Sequence, residues 1–149
     1  MEVTICSSVD FTYPIIEIKK VLEERGDTVN IPYFTQMIID GKLSFEDYMK
    51  TKQSGGDISL RNQEDVDFYA RYWKFISRSD AVLILNLEKH YIKGYIGGNT
   101  LIDMSFAYIQ EKPIYLYNPI PERSARMHYV DELKDFKPTI INEDLSLIK

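Results

Sequence analysis

The chain has almost no cysteine: Cys6 stands alone among 149 residues. One cysteine excludes an intramolecular disulfide, and with it a disulfide-stapled secreted scaffold. Cys6 lies in an apolar run and reads as a small buried residue. A nucleophilic cysteine would want a histidine nearby, and the chain's two, His90 and His128, stand far off in sequence. Isolated histidines, with no calcium-loop spacing among the acids, predict no metal site and no organic cofactor. Positive charge is also short. The net charge is -5, and the densest basic stretch, Glu122 to Arg126, is thin. A face that tracks a phosphate backbone needs clustered Lys and Arg, so polymeric nucleic acid is not an expected partner. No apolar run approaches the ~20 residues of a membrane span. The N-terminus lacks a basic region followed by an apolar stretch, so no signal peptide and a cytoplasmic protein are expected.

What is present is an ordinary globular balance, with 44% apolar and 28% charged residues. That suits a single domain over residues 1–149. Val3 to Cys6 is β-prone and runs into a turn at Ser7 to Phe11. Ile15, Ile18 and Leu22 follow a helical period that Gly26 stops. Thr28 to Ile31 is a second strand ended by Pro32, which completes a β-α-β unit with parallel strands. Phe34 to Ile39 and Phe45 to Lys52 predict short helices around Gly41, with Ser44 as a cap, and polar Gln53 to Ser59 predicts a mobile loop. From Asn62 to Ser77 a helix returns, with Val66, Tyr69, Ala70, Trp73 and Ile76 on one face. Ala81 to Leu85 is apolar without interruption, as in a strand covered on both faces. A loop spans Leu87 to Gly98. A helix follows from about Asn99 to Gln110, with Leu101, Met104, Ala107 and Tyr108 inward. Pro113 to Tyr117 is a strand, Asn118 to Pro121 a loop, a helix starts near Tyr129, and Thr139 to Ile141 is a last strand. This alternation predicts an α/β, flavodoxin-like doubly wound sheet, mostly parallel, of about five strands with helices on both faces.

In such sheets ligands bind beyond the carboxyl ends of the strands, where the strand order reverses. The residues to read are therefore Ser7 to Phe11, Asn86 to Thr100 and Asn118 to Glu122. Gly97 and Gly98 let backbone approach a ligand and take positive φ. Asn99 or Thr100 caps the following helix, whose first N–H groups favour an anion or a polar sugar. Asp103 is expected in the first turn of that helix. Its carboxylate either faces the cleft or closes a capping box with Thr100. Asp10 is either a ligand contact or an Asx turn. Asp80 reads as a turn residue leading into its strand. That place disfavours a receiver domain, whose phosphorylated aspartate would end the strand. Ser7 and Ser8 can meet a phosphate or a sugar hydroxyl, but the turn has no glycine and matches no dinucleotide fingerprint. Tyr13 can stack on a base or pack its own helix.

Several stretches occur in a telling order: a strand running into Cys6-Ser7-Ser8, then Ser79 to Asn86, then Tyr95-Ile96-Gly97-Gly98-Asn99-Thr100-Leu101-Ile102-Asp103 through Ala107, then Lys112-Pro113-Ile114. Together they resemble the nucleoside 2-deoxyribosyltransferase-like family, which also contains nucleoside 5'-monophosphate N-glycosidases. The resemblance covers most of the chain and is weakest between residues 33 and 60. It implies cleavage or transfer of the N-glycosidic bond of a (deoxy)nucleoside or nucleoside 5'-monophosphate through a carboxylate nucleophile. By position Asp103 is that nucleophile, where the family usually carries Glu. Cys6, Ser7, Ser8, Asp10, Asn86, Gly97, Gly98, Asn99 and Thr100 would bind substrate. A homodimer or larger homo-oligomer is implied as well. The alternative is a non-catalytic nucleotide-binding or sensor domain on the same fold.

Overall fold

The structure, a computed structural model, describes residues 1–55, 61–62 and 64–149. Among them run β1 (Glu2–Cys6), α1 (Thr12–Glu24), β2 (Thr28–Asn30), α2 (Tyr33–Ile39), α3 (Phe45–Gly55) and α4 (Phe68–Arg78). Then come β3 (Ala81–Ile84), α5 (Gly98–Ile109), β4 (Ile114–Leu116), α6 (Val130–Asp135) and β5 (Thr139–Ile140). The strands form one five-stranded sheet in the order β2-β1-β3-β4-β5. Every pairing is parallel, with Val3 opposite Ala81 and Cys6 opposite Ile84. The expected flavodoxin-like α/β architecture is therefore the one observed.

Alternation along the strands builds a core on each side. Val3 and Ile5 of β1, with Ala81 and Leu83 of β3, meet Ile15, Ile18 and Leu22 of α1. Cys6, Val82 and Ile84 turn the other way, onto Tyr72 and Ile76 of α4 and Met104 and Ala107 of α5. Both faces are covered, so β3 is buried at every position, as its unbroken apolar run requires. Local signals hold at several ends. Gly26 follows α1 at φ +98°, a conformation that suits glycine. Ser44 Oγ accepts from Asp47 N at 3.0 Å. Asp80 Oδ2 accepts from Glu2 N at 2.7 Å, and so fastens the turn before β3 to β1.

Some expectations change. Gln53 to Gly55 belong to α3, and the remainder of the expected mobile loop lies outside the described residues. The buried stripe of α4 is Tyr72 and Ile76, with Phe75 packed beside them. Tyr69 and Trp73 are each 42% exposed, so the face read from sequence is rotated by about one residue. Tyr72 and Ile76 pack onto Cys6, Val82 and Ile84, while Asp67 Oδ1 accepts from Ala70 N at 2.9 Å and starts the helix after Val66. Tyr108 is also exposed, on the outer side of α5. Among the described residues no helix is long and apolar enough to cross a membrane.

Candidate functional site

The strand order reverses between β1 and β3, and the end of β1 opens onto a cleft at that switch point. The cleft holds about 540 Å³, counted out to its open mouth. One wall comes from the turn after β2, where Pro32 caps α2 and presents Tyr33 and Phe34. The opposite wall comes from α4, with Phe68, Tyr69 and Tyr72. The rings brace one another: Phe68 lies 5.4 Å from Tyr33 and 5.5 Å from Phe34, centroid to centroid. Arg61 stands at the rim, its guanidinium 5.1 Å from the Phe68 ring and 5.4 Å from Tyr69. Ser7, Asn99 and Asp103 supply the polar lining. Ser7 Oγ donates to Leu85 O at 2.8 Å, and Asn99 Oδ1 accepts from Tyr69 Oη at 3.3 Å.

Asp103 decides what this cleft can do. The cap of α5 is Gly97, three residues earlier than a Thr100 capping box requires. Asp103 therefore sits in the second turn, beyond the end of the helix that acids commonly cap. No acid lies in the first turn, and no side chain caps this helix end. Asp103 is largely buried, with an edge on the cleft, and forms no ion pair among the described residues. Burial pushes its pKa up to about 8, against a smaller lowering by its hydrogen bond with Cys6. Cys6 itself has no exposed surface. Its thiol is pushed well above the ordinary value by burial and by the adjacent Asp103. It is a prop beneath the carboxyl, shut off from anything bound in the cleft. The Tyr72 hydroxyl is raised in the same way, first by burial.

The other expected contacts lie elsewhere. Gly97 has φ -82°, and neither Gly97 nor Gly98 adopts the positive φ foreseen for them. The residue that needs it is Gly94, at φ +70°, where an added Cβ would stand 2.4 Å from Pro119 O. Thr100 is buried in the first turn of α5. Asn86 is fully buried and serves its surroundings: its Nδ2 donates to Asn118 O at 2.9 Å and its Oδ1 accepts from Asn118 N at 2.8 Å. It fastens the loop after β3 to the loop after β4. Ser8 Oγ accepts from Asp10 N at 3.3 Å and from Lys89 Nζ at 3.1 Å. Asp10 is an ion-pair centre, 2.5 Å from Lys52 Nζ and 2.7 Å from Lys89 Nζ. Burial alone would raise its pKa, but the two lysines outweigh that and lower it.

Of the residues singled out from sequence, the fold thus gathers Ser7, Asn99 and Asp103, with Cys6 underneath. Sequence reading missed the aromatic walls and Arg61. Their one signal was the crowding of aromatics at two helix starts, Tyr33-Phe34 and Phe68-Tyr69, which also suits ordinary packing. Among the described residues no group of three or more His, Cys, Asp and Glu side chains is placed to hold a metal ion. No family model, curated protein or solved structure matches the chain.

Proposed function

We propose that this chain cleaves or transfers the N-glycosidic bond of a (deoxy)nucleoside or nucleoside 5'-monophosphate, with Asp103 as the nucleophile, as its resemblance to the nucleoside 2-deoxyribosyltransferase-like family implies. The observation that carries the reading is a largely buried carboxyl that forms no ion pair among the described residues and lines an aromatic cleft at the switch point of the sheet. A flat base suits the walls of Tyr33, Phe34, Phe68 and Tyr69, which offer ring faces and edges. Such a base would place its sugar toward Asn99, Ser7 and Asp103.

In the reaction a carboxylate oxygen of Asp103 bonds to the anomeric carbon. The bond from that carbon to the base nitrogen breaks, and its electron pair leaves with the base, which takes up a proton from solvent. Water or a second base then attacks the same carbon and frees the carboxylate. Burial serves this chemistry by stripping water from the nucleophile and sharpening its response to charge developing on the sugar. Asp10 takes no part as an acid, because Lys52 and Lys89 hold it ionised.

Only the ionised Asp103 can attack. Turnover should therefore climb with pH and level off above about 8. The test is free-base release, followed by chromatography, from a panel of nucleosides and 5'-monophosphates across pH. Release that rises through that range and vanishes in Asp103→Asn, with ligand binding retained, is the expected result. Full release by Asp103→Asn would overturn the assignment. Ligand-induced thermal stabilisation with no release from any substrate would leave a binding domain.

A further inference from the structure

A concentration of positive charge lies beside the cleft, around the same β1 turn. Ser7 and Val9 line the cleft, and Ser8 between them contacts Lys89 instead. Lys89 comes from the loop after β3 and Lys52 from the last turn of α3, and both converge on Asp10. A tight turn holds Lys89 in place. His90 and Tyr91 take φ +53° and +60°, and the backbones of Lys89 and Ile92 exchange hydrogen bonds of 3.1 and 2.9 Å. Lys89 also lies 5.5 Å from the centre of the Tyr95 ring. Its side chain is 16% exposed, that of Lys52 28% and that of Asp10 17%, so the group is sheltered but open.

The charges do not balance. Among the described residues, two ammonium groups share this one carboxylate, which leaves a local positive surplus in a chain whose net charge is -5. The neighbouring His90 imidazole is held below its ordinary value, first by burial and then by the charges of Arg126, Lys89 and Lys52. A purely structural ion pair needs one cation. A second, half-buried lysine also carries a desolvation cost that its share of Asp10 does not fully offset, since burial lowers its pKa.

We propose that Lys52, Lys89 and the Ser8 hydroxyl form a seat for a phosphate group, with the Asp10 carboxylate as the internal anion that a phosphate competes against. A phosphate offers several acceptor oxygens to donors on three different elements, where Asp10 offers two. The seat stands at the carboxyl edge of β1 and β3, beside the cleft, where doubly wound sheets receive phosphorylated ligands. It does not depend on bond cleavage at Asp103, so its test needs no turnover. The phosphate is either that of a 5'-phosphorylated nucleoside or free inorganic phosphate, and binding data separate the two.

Calorimetric titration at pH about 7.5, where phosphate is mostly dianionic, should show inorganic phosphate binding that weakens as salt rises. Lys89→Gln and Lys52→Gln should each weaken it by about tenfold, the loss of one charge-assisted hydrogen bond. Asp10→Asn should strengthen it, because the competing carboxylate is gone; lysines that only anchor Asp10 would give no such gain. Adenosine 5'-monophosphate bound more tightly than both adenosine and phosphate assigns the seat to a substrate's ester. Phosphate bound as tightly as the monophosphate assigns it to the free ion. The proposal fails if neither wild type nor Asp10→Asn binds phosphate while circular dichroism shows both folded, or if folded Lys89→Gln binds it as wild type does.

Discussion

Asp103 and Asp10 stand near the end of the same strand, both partly buried, and their environments push them in opposite directions. Asp10 meets two lysines and stays ionised; Asp103 meets a thiol and aromatic rings and holds its proton to about pH 8. For Asp103 the folded value lies above the ordinary 3.8, so its contribution to stability is complete below pH 3.8 and is lost as pH rises through about 8. Between those limits the loss runs at about 1.4 kcal/mol per pH unit. Asp103→Asn carries no charge to bury. Its melting temperature should match that of wild type at pH 4 and exceed it clearly at pH 9, measured by calorimetry. Equal pH profiles for the two proteins would show that Asp103 ionises freely and that burial does not control it.

At the scale of elements, the site is held by connections between loops as much as by the sheet. Asn86 bonds the loop after β3 to the loop after β4, and Gly94 passes close under Pro119. Gly94→Ala combines a left-handed backbone with a Cβ 2.4 Å from a carbonyl oxygen. It should cost more than about 1 kcal/mol in urea unfolding, whereas Gly98→Ala, at a position with open space, should cost less. Equal costs would show that this loop yields without strain. The rotation of α4 belongs to the same scale. Both Tyr72 and Trp73 fit a helical period, and the choice between them lies in which stripe reaches Cys6 and Ile84.

Across the whole molecule, β1 and β3 serve two cores at once. Val3, Ile5 and Leu83 pack toward α1, while Cys6, Val82 and Ile84 pack toward α4 and α5. Neither side can open without exposing the strands that carry the other. Unfolding is therefore expected as one transition. The single tryptophan, Trp73, reports it locally through its contact with Phe106 on the α5 side, and far-UV circular dichroism reports it globally. The two curves should coincide in urea; separate midpoints would mean that the helical layer of α4 and α5 melts on its own.

The sequence by itself determined the order of elements, because that order is written in local terms: Gly26 after α1, Ser44 before α3, and the unbroken apolar run of Ala81 to Leu85. It also singled out Asp103 as the carboxylate to watch. It left open whether Asp103 capped its helix, because Thr100 and Asp103 have the right spacing for a box and only the observed start at Gly97 excludes one. It did not disclose the aromatic walls, the Cys6 prop, the Asn86 tie or the two lysines on Asp10. Each of these joins residues far apart in the chain, by as many as 97 positions in the Cys6 and Asp103 pair (103 minus 6). Such contacts have no periodicity to read. They exist only once the parallel sheet brings the ends of β1, β2 and β3 side by side.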